Sequence, residues 1–135
     1  MKKHILLVHE DKHELKSFMA IVNQCAGAFK CTYASSPAHA LEMLRYLEAD
    51  FIFIDHKPGG FDSIKLVSAI RCGLKHALAG IYLYGGEIDD EANKMATLAG
   101  ASGCVSKSQD MQMTLSLFNS IFSIQCKLLL QRQAL

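Results

Sequence analysis

Asp50-Phe51-Ile52-Phe53-Ile54-Asp55 places four large apolar residues in a row between two carboxylates. Aromatic and β-branched residues favour a strand, and the run is too short for an amphipathic helix turn pattern to develop. Because odd and even positions are equally apolar, both faces of that strand must be covered. That is the signature of a central strand in a parallel sheet with helices on each side. Asp55 then stands where the buried run ends.

Working outward, the flanking segments repeat the same theme. Ile5-Leu6-Leu7-Val8 is a second buried run that breaks abruptly into His9-Glu10-Asp11. Leu15, Phe18, Met19 and Val22 follow at helical spacing, and a helix is predicted to end near Gly27. Phe29 to Tyr33 predicts a strand, and Ser35-Ser36-Pro37 supplies a serine cap with proline in the first turn of the next helix. Ala40, Leu41, Leu44 and Leu47 give that helix an apolar face. Downstream of Asp55, Pro58-Gly59-Gly60 makes a loop, and Ile64, Leu66, Val67 and Ile70 resume helical periodicity. Ala79 to Tyr84 predicts a fourth strand closed by Gly85-Gly86, and Ile88 to Ala99 a helix stopped by Gly100. Gly103 to Ser106 is a short fifth strand, and the pattern is helical from Gln109 onward.

Five strand–helix units in alternation predict an α/β domain with a doubly wound parallel sheet, since each crossover needs a helix to return the chain to the same edge. Ligands and chemistry in such sheets gather beyond the carboxyl ends of the strands. That rule selects His9-Glu10-Asp11, Asp55-His56-Lys57, Gly85-Gly86 and Lys107-Ser108, a rim where carboxylates from two strands meet a lysine from another. Clustered carboxylates tolerate one another when they share a hard divalent cation or an ammonium group. Mg²⁺ is commonly held by one or two carboxylates together with a phosphate, and an aspartate beside it can accept a phosphoryl group. A structural ion pair between Asp55 and Lys107 is the simpler alternative.

The chain resembles the receiver domains of two-component response regulators from about His4 to Ile124. The resemblance is carried by Ile5-Leu6-Leu7-Val8 with the acids after it, by the strand ending in Asp55, and by Gly100-Ala101-Ser102-Gly103 through Lys107. It implies a flavodoxin-like sheet of order 2-1-3-4-5 with five helices, the last extended. It also implies that Asp55 accepts a phosphoryl group and that Lys107 holds one of its oxygens. Mg²⁺ would lie among Asp55, Glu10, the backbone carbonyl of Lys57, and His9 in the place of the family's first acid. A histidine kinase or phosphotransfer protein would be the partner. The departures are equally specific. His9 removes a negative charge, and Glu10 is one methylene longer than aspartate. Gly85 stands where a threonine or serine hydroxyl follows the phosphoryl group, and Cys104 where an aromatic switch residue belongs. Pro58 falls one residue early, Ser63 replaces a glycine, and Ser108 replaces a proline.

Composition excludes other classes. The chain has 135 residues, 50% of them hydrophobic and 20% charged, and a formal net charge of +1. That suits one globular domain and argues against a dedicated nucleic-acid surface. No run is long enough to span a membrane, and Met1-Lys2-Lys3-His4 leads into too few apolar residues for a signal peptide, so a cytoplasmic location is expected. Cys25, Cys31, Cys72, Cys104 and Cys126 contain no CxxC pair and are expected as reduced thiols. His9-Glu10-Asp11-Lys12-His13 matches HExxH formally, but a histidine directly after a strand cannot share a helical face with His13. Gly100 to Ser108 lacks the glycine a phosphate loop requires before its lysine. His56 and Lys57 could tune Asp55, although a solvated loop is the simpler expectation for them.

The last helix is longer than the sheet requires. Residues 1–125 are expected to form the receiver domain and 126–135 a helical extension. Leu117, Ile121, Ile124, Leu128, Gln131 and Leu135 make a coiled-coil-like seam, while Leu115, Phe118, Phe122 and Leu129 form a second stripe expected to pack on the domain. Homodimerisation, or connection to an output domain, is the expected use of the extension. The function expected first is therefore a phosphoryl-accepting receiver, favoured by Asp55, Glu10 and Lys107; the alternative, favoured by His9, Gly85 and Cys104, is a pseudo-receiver that acts through protein contacts alone.

Overall fold

The computed structural model describes residues 2–107 and 110–133, with backbone alone for residue 74 and residues 124–133. Its strands are β1 (Lys3–Val8), β2 (Phe29–Ala34), β3 (Phe51–Asp55), β4 (Gly80–Gly85) and β5 (Gly103–Ser106). The helices are α1 (His13–Val22), α2 (Pro37–Leu44), α3 (Ser63–Arg71), α4 (Asp90–Ala99) and α5 (Met111–Gln133). All strand pairs are parallel, in the order β2-β1-β3-β4-β5. The fold is thus the doubly wound, flavodoxin-like sheet that the sequence predicts.

Every residue of β3 is buried, as its double-sided apolar pattern requires. Alternation sorts its side chains onto two unlike layers. Phe51 and Phe53 join Tyr82 and Tyr84 of β4 beneath α1 and α5, where Phe18, Phe118 and Phe122 complete an aromatic core. Phe18 meets Phe53 edge-on with ring centres 5.2 Å apart, a favoured quadrupolar arrangement. Ile52 and Ile54 face the other way with Leu6, Val8, Ile81 and Leu83, against Leu66, Val67 and Ile70 of α3. That layer is built from aliphatic side chains.

The helix starts follow local chemistry. Ser36, extended at φ −157°, accepts from the His39 N–H at 3.1 Å, with Pro37 in the first turn. Asp62 and Asp89 cap α3 and α4 in the same way. Gly100 ends α4 in the left-handed region at φ +113°. The first helix stops at Val22, earlier than predicted, and a short irregular segment leads to Gly27. Ile121, expected in the free seam of α5, is buried in the aromatic layer beside Phe118 and Phe122. The remaining seam residues from Ile124 onward lie outside the described side chains. No described helix is long and apolar enough to cross a membrane.

Candidate functional site

The carboxyl ends of β1 and β3 place His9 and Asp55 side by side. Both are buried, at 5% and 4% exposure, and His9 Nε2 lies 3.4 Å from Asp55 Oδ1. His9 is held from three directions. Its N–H donates to the Ala34 carbonyl at 3.0 Å, and its own carbonyl accepts from the Tyr33 hydroxyl at 2.6 Å. The Asp11 N–H donates to its Nδ1 at 3.0 Å. A ring nitrogen that accepts from a backbone N–H carries no proton, so in the neutral ring the proton resides on Nε2, facing Asp55.

The loop after β3 closes the other side of this corner. Pro58 and Gly59, the latter at φ +78°, form a turn in which the Lys57 carbonyl accepts from the Gly60 N–H at 3.1 Å. His56 donates its N–H to Tyr84, and its Nδ1 lies 2.7 Å from the hydroxyl of the buried Ser63. The His56 carbonyl presses so closely on Gly85 that a Cβ there would stand 2.2 Å from its oxygen. Gly85 therefore does more than lack a hydroxyl: backbone fills the space where a side chain would begin.

The remaining rim residues are engaged outside this corner. The Glu10 carboxylate is exposed, with the Lys57 ammonium at 3.5 Å and the Phe61 N–H donating to it at 3.3 Å. Asp11 accepts from the His13 N–H at 2.9 Å and so serves the start of α1. His13 is the first residue of that helix and His9 precedes it, so the two do not share a helical face. Lys107 follows β5, and its backbone N–H donates to Gly85 at 2.7 Å. Its ammonium lies 3.3 Å from Glu14 of α1 and 4.8 Å above the Tyr84 ring. Burial, aided by Glu14, pushes the Tyr84 phenol up to about 12, so the ring beneath the lysine stays neutral. Cys104 is half-buried behind the aliphatic layer, and burial raises its thiol pKa. The thiols of Cys25 and Cys31 are raised likewise, the latter to about 11, which leaves them protonated.

The structure thus joins His9 to Asp55 and Glu10 to Lys57, and seats Lys107 on Glu14. Sequence reasoning missed Glu14, Tyr33 and the role of Tyr84. Glu14 sits within the predicted first helix with no motif to mark it, and Tyr33 reads as an ordinary strand residue.

No family model and no curated protein sequence matches the chain. Solved structures do. The chain is similar to the chemotaxis response regulator CheY4 of Vibrio cholerae, with 17% identity and a TM-score of 0.76 over 90% of this chain and 99% of that one. A response regulator from Thermotoga maritima gives 20% identity and the same TM-score over 91% of this chain and 99% of that one. The fold is that of a receiver domain. The Mn²⁺-bound form of response regulator Rcp1 also resembles this receiver fold, with 12% identity and a TM-score of 0.72 over 90% of this chain and 92% of that one.

The arrangement in this chain does not fit a divalent cation. Among the described residues no three His, Cys, Asp or Glu side chains converge as a metal-holding group. Mg²⁺ needs oxygens at about 2.1 Å in near-octahedral array. Here the His9 ring stands beside Asp55 with Nε2 at 3.4 Å, Glu10 faces Lys57, and the Lys57 carbonyl closes a turn.

Proposed function

We propose that this chain is a pseudo-receiver: a signalling module built on the receiver fold that acts through protein contacts without phosphorylation of Asp55. The observation that carries the reading is the closed corner, with His9 Nε2 3.4 Å from Asp55 and the His56 carbonyl pressed on Gly85. An incoming phosphoryl group needs space at Asp55 and cations to receive its charge. Asp55 is only 4% exposed with the His9 ring beside it, and the Lys107 ammonium lies 3.3 Å from Glu14. The domain carries no enzyme activity in this reading. Apolar side chains exposed on α4 (Met95, Leu98) and α5 (Met113, Leu117) supply contact surface. The extension at 126–135 would pair two copies or lead to an output domain. A monomer by light scattering at high concentration would exclude the pairing.

A phosphoryl-accepting receiver is the second reading, favoured by Lys107, which follows β5 and needs only to leave the half-exposed Glu14 to become available. A histidine kinase or phosphotransfer protein would then be the partner, with Mg²⁺ as cofactor. Incubation with Mg²⁺ and acetyl phosphate, followed by intact mass spectrometry, separates the two. The pseudo-receiver gives no adduct. A labile phosphoryl adduct that Asp55→Asn abolishes would establish the second reading instead.

A further inference from the structure

We infer that His9 is a built-in replacement for the divalent cation at Asp55, so that the corner is complete without metal and indifferent to it. The inference deepens the pseudo-receiver reading and rests on the same closed corner.

A carboxylate buried at the end of a central strand is costly unless a donor or cation meets it. His9 is the partner at hand, its Nε2 at ion-pair distance from Asp55, and a backbone N–H orients its ring. The Asp11 N–H occupies Nδ1 at 3.0 Å, so the proton must lie on Nε2, the nitrogen 3.4 Å from Asp55 Oδ1. A metal ion bound to that carboxylate at about 2.1 Å would meet the positive end of this N–H bond. To ligate the ion instead, the ring would have to move its proton to Nδ1, where it would confront the Asp11 N–H. Rotation of the ring would break the Asp11 N–H bond to Nδ1 and carry Nε2 away from Asp55. Other oxygens at the rim already have contacts: the exposed Glu10 carboxylate lies 3.5 Å from the Lys57 ammonium and accepts from the Phe61 N–H, and the Lys57 carbonyl accepts from the Gly60 N–H. Each of these contacts is compatible with the others, and together they leave Asp55 partnered within the protein.

The test uses the full chain. Long-range ¹H–¹⁵N correlation spectra of the imidazoles at neutral pH, without metal and then with millimolar Mg²⁺, should show His9 as the Nε2–H tautomer in both. The melting temperature should not respond to Mg²⁺. His9→Asp should restore an acidic pair after β1, melt lower in chelator, and gain a Mg²⁺-dependent rise of about 3 °C or more. A wild-type Nδ1–H tautomer, or a Mg²⁺ response of the wild-type His9 signals, would overturn the inference. The wild-type spectra decide the matter even if His9→Asp fails to fold. A phosphoryl adduct formed equally in chelator would sink the pseudo-receiver reading and leave this inference standing. Mg²⁺ binding to the wild type without an adduct would do the reverse.

Discussion

Two acid–base partnerships share one rim and differ in their surroundings. At the inner corner, His9 and Asp55 have side chains only 6% and 5% exposed, enclosed by β1, β3 and the loop on Gly85. At the outer corner, Lys107 and Glu14 are 28% and 35% exposed and lie between α1 and the strand ends. The rim's lysines, Lys107 and Lys57, thus serve the more hydrated carboxylates of Glu14 and Glu10, and the buried Asp55 is met by an imidazole. Solvent explains the division. A hydrated ion pair costs little to form and contributes little, whereas a buried carboxylate demands a partner fixed in place. Lys107 can change partners cheaply; His9, held through Ala34, Tyr33 and Asp11, cannot.

The comparison can be broken most forcefully at Gly85. A Cβ there would lie 2.2 Å from a backbone oxygen, so no side-chain rotation relieves the clash. Gly85→Thr should destabilise by about 3 kcal/mol in urea unfolding, because two backbone segments must separate. If it folds with full stability, the inner corner is open and a switch hydroxyl could be accommodated. Removing the imidazole comes next. His9→Ala should lower stability by about 2 kcal/mol, since it removes the ring that partners a buried carboxylate at 3.4 Å. A double-mutant cycle with Asp55→Asn should assign much of that loss to the pair.

Tyr33→Phe sharpens the contrast by loosening only the His9 backbone, and about 1 kcal/mol is expected for the lost hydrogen bond. The smallest effect belongs to the outer corner. Glu14→Gln should change stability by about 0.5 kcal/mol or less, and raising the salt should erase the difference. An outer pair worth more than the inner one would invert the whole comparison.

Much of this was legible without coordinates. Asp50 to Asp55 announced a central strand, and the serine–proline start of α2 and the Gly100 stop of α4 followed from local rules that need no distant partner. The rim residues were legible as a set, because strand ends in a parallel sheet point to one edge. Their pairing was not. Helix ends without a cap signal were also elusive, as at Val22, where α1 stops well short of Gly27.

By itself, the sequence determined the doubly wound parallel sheet, the burial of β3 and the appearance of Asp55, His9 and Lys107 at one rim. Periodicity and chain connectivity are local or topological properties, and both are written in residue order. Only the tertiary structure decided which partner each rim charge takes. That choice depends on distances of a few tenths of an ångström, on the Asp11 N–H that sets the His9 tautomer, and on the His56 carbonyl that fills the space beside Gly85.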